Sequence, residues 1–198
     1  YGLEGSIFVA GSAVQWIRDG LKFFKNASET EEIVKKRNPD SNVLVVPAFT
    51  GLGAPHWDPN ARGSIFGLTR DTDIADITAA TLESIAFQTR DLIEAMEKDG
   101  ASFSELRVDG GMVVNDWFSQ QLSNVLSLTV LRPKVIETTA LGAAYLASLT
   151  AGLSPDLESL SSHWSSDRNF EPEKGEVADL DRRYKTWLSA VERTKGLF

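Results

Sequence analysis

Two glycines stand where an apolar run gives way to a patterned one: Leu106-Arg107-Val108-Asp109-Gly110-Gly111-Met112-Val113-Val114-Asn115. The order reads as a short buried strand, a tight Asp-Gly-Gly turn and the first turn of an amphipathic helix. Glycine accepts positive φ and carries no Cβ, so a ligand can come close to the main chain. The helix start beyond it offers unpaired N–H groups and partial positive charge, which suits a phosphate. Asn115 is placed to face the same mouth and to hydrogen-bond a ribose or a base edge. Double-glycine turns are common, however, and a plain strand-to-helix turn is the more frequent reason for such a string.

The elements that must position these residues are legible from periodicity. Leu3 to Val9 reads as a strand, and Gly11 marks a turn into a helix whose Ala13, Val14, Ile17, Leu21 and Phe24 recur at helical spacing. Residues 26–42 are polar, a solvated helix and loop. Val43 to Val46 is a short buried strand ended by Pro47. A long loop, Pro47 to Arg62, reads equally as functional or as self-packed surface. Gly63 to Leu68 alternates as a strand. A long helix follows, with Asp73 as N-cap, Asp76 in its first turn, an apolar face of Ile74, Ile77, Leu82, Ile85, Leu92, Ile93 and Met96, and Gly100 past its end.

After the double glycine, Asp116 to Leu126 reads as a helix and Leu128 to Leu131 as a strand stopped by Pro133. Thr138 or Thr139 caps a helix of small residues (Ala140, Gly142, Ala143, Ala144, Ala147) able to lie close to a sheet or a ligand. Residues 151–175 read as a connection, and Leu180, Tyr184, Trp187, Leu188 and Val191 as the core face of a closing helix. This order predicts an α/β layered domain with a largely parallel central sheet.

Composition narrows the function. The 198 residues carry a net charge of −8, which argues against nucleic acid and anionic membranes as partners. There is no cysteine, which removes thiol chemistry and thiolate metal sites and fits a cytoplasmic location. His56 and His163 are too few and too far apart for a multi-histidine metal site. No apolar run reaches membrane-spanning length. The opening on Tyr1 reads as a fragment of a longer polypeptide. The Walker pattern is absent, Gly51-Leu52-Gly53 is followed by Pro55 rather than by a helix, and no nucleophile elbow is present.

Several separated strings share one pattern: Tyr1-Gly2-Leu3-Glu4-Gly5-Ser6, Gly11-Ser12-Ala13-Val14-Gln15-Trp16-Ile17-Arg18-Asp19, Pro47-Ala48-Phe49-Thr50-Gly51-Leu52-Gly53-Ala54-Pro55 and Trp57-Asp58-Pro59. Ala61-Arg62-Gly63, Phe66-Gly67-Leu68-Thr69-Arg70, Thr81 to Arg90, Val108-Asp109-Gly110-Gly111 and Glu137 to Tyr145 continue it. Their order and spacing resemble the C-terminal domain of the FGGY carbohydrate kinases, most closely the branch that phosphorylates glycerol. The resemblance implies an actin-like, ribonuclease-H-type domain with a mixed central sheet and helices on both faces. It makes residues 1–198 the nucleotide-binding half, with an N-terminal catalytic and substrate domain outside this chain.

The implied cofactors are ATP and Mg2+, with Gly11, Gln15, Gly111 and Asn115 at the matching nucleotide positions. The implied reaction is ATP + glycerol → sn-glycerol 3-phosphate + ADP, its aspartate base and its glycerol contacts lying in the other domain, so no catalytic residue and no metal ligand is assigned here. Relatives of this kind commonly form dimers or tetramers. The chain departs from the pattern at four positions. Asp116 replaces a usual second asparagine, bringing a carboxylate that either satisfies helix amides or weakens nucleotide affinity. His56 stands where tyrosine is usual, and Asn124 and Ser127 replace aspartate and glycine, Ser127 straining its turn.

Overall fold

The computed structural model describes residues 2–196; Tyr1, the first residue of the opening string, lies outside the described residues. The elements run α1 (Gly11–Asp19), α2 (Thr30–Val34), β1 (Leu44–Val46), β2 (Ser64–Phe66), α3 (Ile74–Lys98), β3 (Glu105–Arg107), α4 (Asp116–Leu126), β4 (Thr129–Pro133), α5 (Thr138–Thr150), α6 (Leu157–Ser161), β5 (Ser166–Phe170) and α7 (Lys174–Thr194). Short 3-10 turns occupy Ala27–Glu29 and Gly111–Val114.

α3 is the spine. Asp73 caps it by accepting from the amides of Ala75 and Asp76 (2.8 and 3.1 Å), while the Asp76 carboxylate returns to the Asp73 amide at 3.2 Å. Gly100, at φ +97, ends it. Its middle is buried on all sides because it separates two apolar clusters. On one side Phe87 packs with Tyr184 and Trp187 of α7, and Trp187 Nε1 donates to the Val45 carbonyl of β1 at 2.9 Å. On the other, Leu82 and Ile85 meet Val14 and Ile17 of α1 and Phe118 of α4. The buried face therefore runs through Ala75, Ala79, Ala86 and Phe87 as well as Leu82 and Ile85, and Ile74 is exposed.

Inside this core sits a carboxylate. Glu83 accepts from Arg37 at 3.1 Å and from Arg183 of α7 at 2.6 Å, its side chain 1% exposed. Arg183 also donates to the carbonyls of Ser41 and Val43 (2.7 and 3.2 Å), fixing the approach to β1. Residues 26–42 are thus less solvated than their composition suggests: Thr30 and Val34 are buried.

The sheet differs from the largely parallel one that the element order suggests. Only β3 and β4 pair in parallel; β4–β5 and β1–β2 are antiparallel, and the described strands form a three-stranded mixed sheet and a separate two-stranded one. β1 and β2 are joined by a loop without a crossover helix, which permits the antiparallel pairing. β5 lies in the stretch read as a connection, as does α6. Leu3 to Val9 forms no strand, because its neighbours offer no ladder: Gly5 sits against Leu92 of α3, and the Val9 carbonyl accepts from Gln88 Nε2 at 3.2 Å.

The loop Pro47 to Arg62 is mainly self-packed. Leu52 and Asp58 exchange backbone bonds of 2.7 and 3.1 Å, and Ala48, Leu52 and Ala61 are buried. His56 anchors it, its Nε2 lying 2.7 Å from the buried Asp91, whose other oxygen takes the Tyr184 hydroxyl at 2.5 Å. Burial first, and the Asp91 carboxylate second, push the Tyr184 phenol far up, so it stays a donor. Ser127 occupies the left-handed region at φ 54 after α4, and Asn124 ties that helix to the Glu173 amide at 2.8 Å.

α5 departs most from expectation. Its cap is Glu137 without a side-chain bond, the Thr138 hydroxyl instead donating to the Asp109 carboxylate. None of its residues is buried, Leu146 is 63% exposed, and a Cβ on Gly142 would meet nothing within 4 Å. Its small residues approach no sheet of this domain.

These contacts set the stability of two variants. Glu83→Gln strips the charge that balances Arg37 and Arg183 and is expected to lower the unfolding free energy by about 3–5 kcal/mol in urea titration. Ser127→Gly, relieving left-handed backbone at the end of α4, is expected to raise it by about 0.5–1 kcal/mol in the same measurement.

Candidate functional site

The double-glycine turn is built from both sides of the parallel pair. The Val108 amide bonds the Leu131 carbonyl at 3.1 Å and the Gly110 amide the Ile136 carbonyl at 2.9 Å. Gly110 takes φ +83, a conformation that side chains disfavour, and a Cβ on Gly110 or Gly111 would meet no protein atom within 4 Å. The turn thus presents bare main chain.

The segment after the glycines is not the first turn of α4. Gly111–Val114 coils as a 3-10 turn, and Asn115 then caps α4, its Oδ1 accepting from the Phe118 amide at 2.9 Å. Its Nδ2 donates to Thr30 Oγ1 at 3.1 Å, and the Asp116 amide goes to Glu31 at 3.3 Å. The α4 start that was expected to receive a phosphate therefore already has partners for these amides. The first amides of the 3-10 turn, Gly111 and Met112, have no carbonyl behind them within the turn.

α1 supplies the opposite wall. It starts at Gly11 with Ala10 as N-cap, without a capping side chain and without an acid in its first turn. Gly11, Val14, Gln15 and Arg18 recur at helical spacing along one face. Gly11 lies beside Met112, whose Sδ would stand 3.7 Å from an added Cβ.

The two walls enclose a cavity of about 470 Å3. Gly11 and Gln15 line it from α1, and Gly111 and Asn115 from the glycine turn, so all four expected residues share one space. Val14, Leu82 and Met112 give it apolar surface, and Ala27, Ser28, Thr30 and Glu31 form a further wall. Such a slot suits a molecule with a flat apolar body and an anionic end, and its volume falls in the usual small-ligand range. Arg18, Thr30, Glu31, Leu82 and Met112 were not anticipated from sequence. Arg18 carried a signal, being one helical turn beyond Gln15; the residues of the Ala27–Glu31 wall carried none.

Asp116 does not bring uncompensated negative charge to this wall. Its carboxylate accepts from Arg132 at 2.7 Å and also from Arg168. Burial works against the charge of Arg132, but bonds to Asp167 and Asp116 outweigh it and raise its pKa above the ordinary value. Among the described residues, no group of three or more His, Cys, Asp or Glu could hold a metal ion. No helix there is long and apolar enough to cross a membrane.

The fold and the paired glycine turns place this chain in a known class. Residues 1–151 match the family model described as the FGGY family of carbohydrate kinases, C-terminal domain, and the chain belongs to that family. Over 197 residues it is 56% identical to a glycerol kinase of Marinomonas sp. (strain MWYL1), covering 98% of this chain and 39% of that protein. Against glycerol kinase 1 of Pseudomonas aeruginosa the identity is 54% over 201 residues, covering 99% and 40%. The chain thus spans about two fifths of the length of these relatives.

The crystal structure of Plasmodium falciparum glycerol kinase with ADP superposes with a TM-score of 0.83 at 36% identity, covering 98% of this chain and 38% of that one. A ligand-bound xylulose kinase from Lactobacillus acidophilus has the same fold, with a TM-score of 0.83 at 23% identity over 98% of this chain and 40% of that one. The fold is the actin-like, ribonuclease-H-type one that these kinases share.

Asn115 can be tested apart from any ligand. Asn115→Ala removes the cap of α4 and the bond to Thr30, and is expected to lower stability by about 1–2 kcal/mol in urea titration. Asn115→Asp keeps the capping oxygen and should recover most of that loss.

Proposed function

We propose that this chain is the nucleotide-binding half of an ATP-dependent glycerol kinase, in which the γ-phosphoryl of ATP passes to glycerol to give sn-glycerol 3-phosphate and ADP. The observation that carries this reading is the convergence of Gly11 and Gln15 with Gly111 and Asn115 on one cavity. The 52–56% identities to glycerol kinases favour glycerol over the polyols and sugars of other branches.

Each residue has a role that its chemistry permits. The uncapped start of α1 at Gly11 and the bare main chain at Gly111 would receive the phosphates. Gln15 carries a carboxamide able to donate and accept toward ribose or base. Asn115 shapes the wall through its cap, and its Nδ2 would have to leave Thr30 to bond the nucleotide directly. Val14, Leu82 and Met112 would sandwich the base.

The aspartate base and the glycerol contacts belong, on this reading, to an N-terminal domain outside the 198 residues. Mg2+ would spread the charge of the transferred phosphoryl group when bound. This half has no acidic cluster among its described residues to hold it, so its ligands would be the phosphates and the other domain. The bare apolar surface of α5 supports a second domain packing alongside. A cytoplasmic location and a dimeric or tetrameric full-length enzyme complete the reading.

Calorimetry with ADP tests it. The 198-residue chain is expected to bind ADP weakly and to turn over no glycerol, and Gln15→Ala should weaken ADP binding by roughly 3- to 10-fold. No heat at millimolar ADP would count against all four positions. In the full-length polypeptide, ADP release should be faster with glycerol than with xylulose or erythritol.

A further inference from the structure

The glycine wall of the cavity is held from behind by a side chain that does not line it. We propose that Arg132, at the end of β4, is a positioning residue for the nucleotide, setting the geometry of the Gly111–Val114 turn; this rests on the nucleotide reading above.

Arg132 Nη1 donates to the carbonyls of Val113 at 3.0 Å and Val114 at 3.3 Å, and to Asp116 Oδ1 at 2.7 Å. Its Nε and Nη2 both reach Asp167 Oδ2, at 3.1 and 2.8 Å. The last carbonyls of a short helical turn have no amide ahead of them, and they need donors from elsewhere. One planar guanidinium supplies a donor to both carbonyls here, with the Ser119 hydroxyl also donating to Val113 at 3.1 Å, and is itself fixed on its far side by Asp167. The Arg132 side chain is only 13% exposed and lies over the Phe170 ring, its Cζ 5.5 Å from the centroid.

Asp116 completes the clamp. Its two oxygens face Arg132 and Arg168, so the carboxylate at the start of α4 draws the guanidinium toward the end of the turn. The charge of Asp116 is used in this contact, away from the cavity. A lysine at 132 would keep the charge but lose the fork, since one ammonium cannot meet Val113, Asp116 and Asp167 in this planar arrangement. Gly111 has no side chain to anchor it, so its position depends on how the next residues are held.

The test compares Arg132→Lys, Arg132→Gln and Asp116→Asn with the wild-type chain. It uses ADP calorimetry, thermal unfolding with and without ADP, and the ligand-free amide NMR shifts of Gly110 and Gly111. Arg132→Lys is expected to weaken ADP binding by roughly 5- to 10-fold and to shrink the ADP-induced rise in Tm. Its Gly110 and Gly111 resonances should move while its ligand-free Tm changes little. Asp116→Asn, which keeps one acceptor for Arg132 but loses the charge and the oxygen facing Arg168, should weaken ADP binding in the same direction but by less than Arg132→Lys. Wild-type ADP affinity and unmoved glycine resonances in Arg132→Lys and Arg132→Gln would overturn the proposal. So would a loss of affinity that only tracks a lowered ligand-free Tm. If wild type itself bound no ADP, the nucleotide reading would fail, and the ligand-free glycine shifts would still decide whether Arg132 sets the turn.

Discussion

The carboxylate of Glu83, shut inside the core between Arg37 and Arg183, is the contact on which the domain's arrangement depends. A buried carboxylate without partners loses several kcal/mol of hydration, so the two guanidinium groups must stay where they are. Arg183 brings α7 against α3 and holds the carbonyls before β1, while Arg37 draws the segment after α2 onto the same helix. With that segment fixed, Thr30 stands where Asn115 can donate to it. One wall of the cavity therefore inherits its place from an ion cluster that never touches the cavity.

The cavity is correspondingly a backbone structure. Gly11 and Gly111 bring main chain to its surface, and the residues around them are committed to one another: Asn115 to Phe118 and Thr30, Asp116 to Arg132 and Arg168. On the proposed reading, few of these committed side chains would need to reorder when a nucleotide arrives, which lowers the entropic penalty of binding. Among the described residues, the lining includes no group of three or more His, Cys, Asp or Glu that could hold a metal ion.

Much of the fold was legible in the sequence where local physics and burial agree. The bounds of α4, the Asp73 cap, the exit of α3 at Gly100 and the core face of α7 all follow from periodicity and capping chemistry. β5 was not legible, because Ser166 to Phe170 buries only Phe170 and shows no alternation. Leu3 to Val9 misled in the opposite sense: it has strand composition but no strand beside it. At the site, the double glycine was visible, but the 3-10 turn behind it was not. Asn115 followed by Asp116 and a patterned run is a readable N-cap, in keeping with the α4 start at Asp116. That Gly11 and Gln15 would meet Gly111 and Asn115 came from the resemblance, since no local pattern encodes contacts across some hundred residues.

α5 joins the glycine turn through Thr138 and Asp109, yet leaves its own apolar surface in water. On the proposed reading, the polypeptide is born with an adhesive stretch that only correct assembly conceals. A nascent or nicked molecule whose two halves had come apart would display this greasy cylinder first, and chaperones and proteases select for such surface. Cellular quality control could then tell an assembled kinase from an orphaned half without sampling its catalysis.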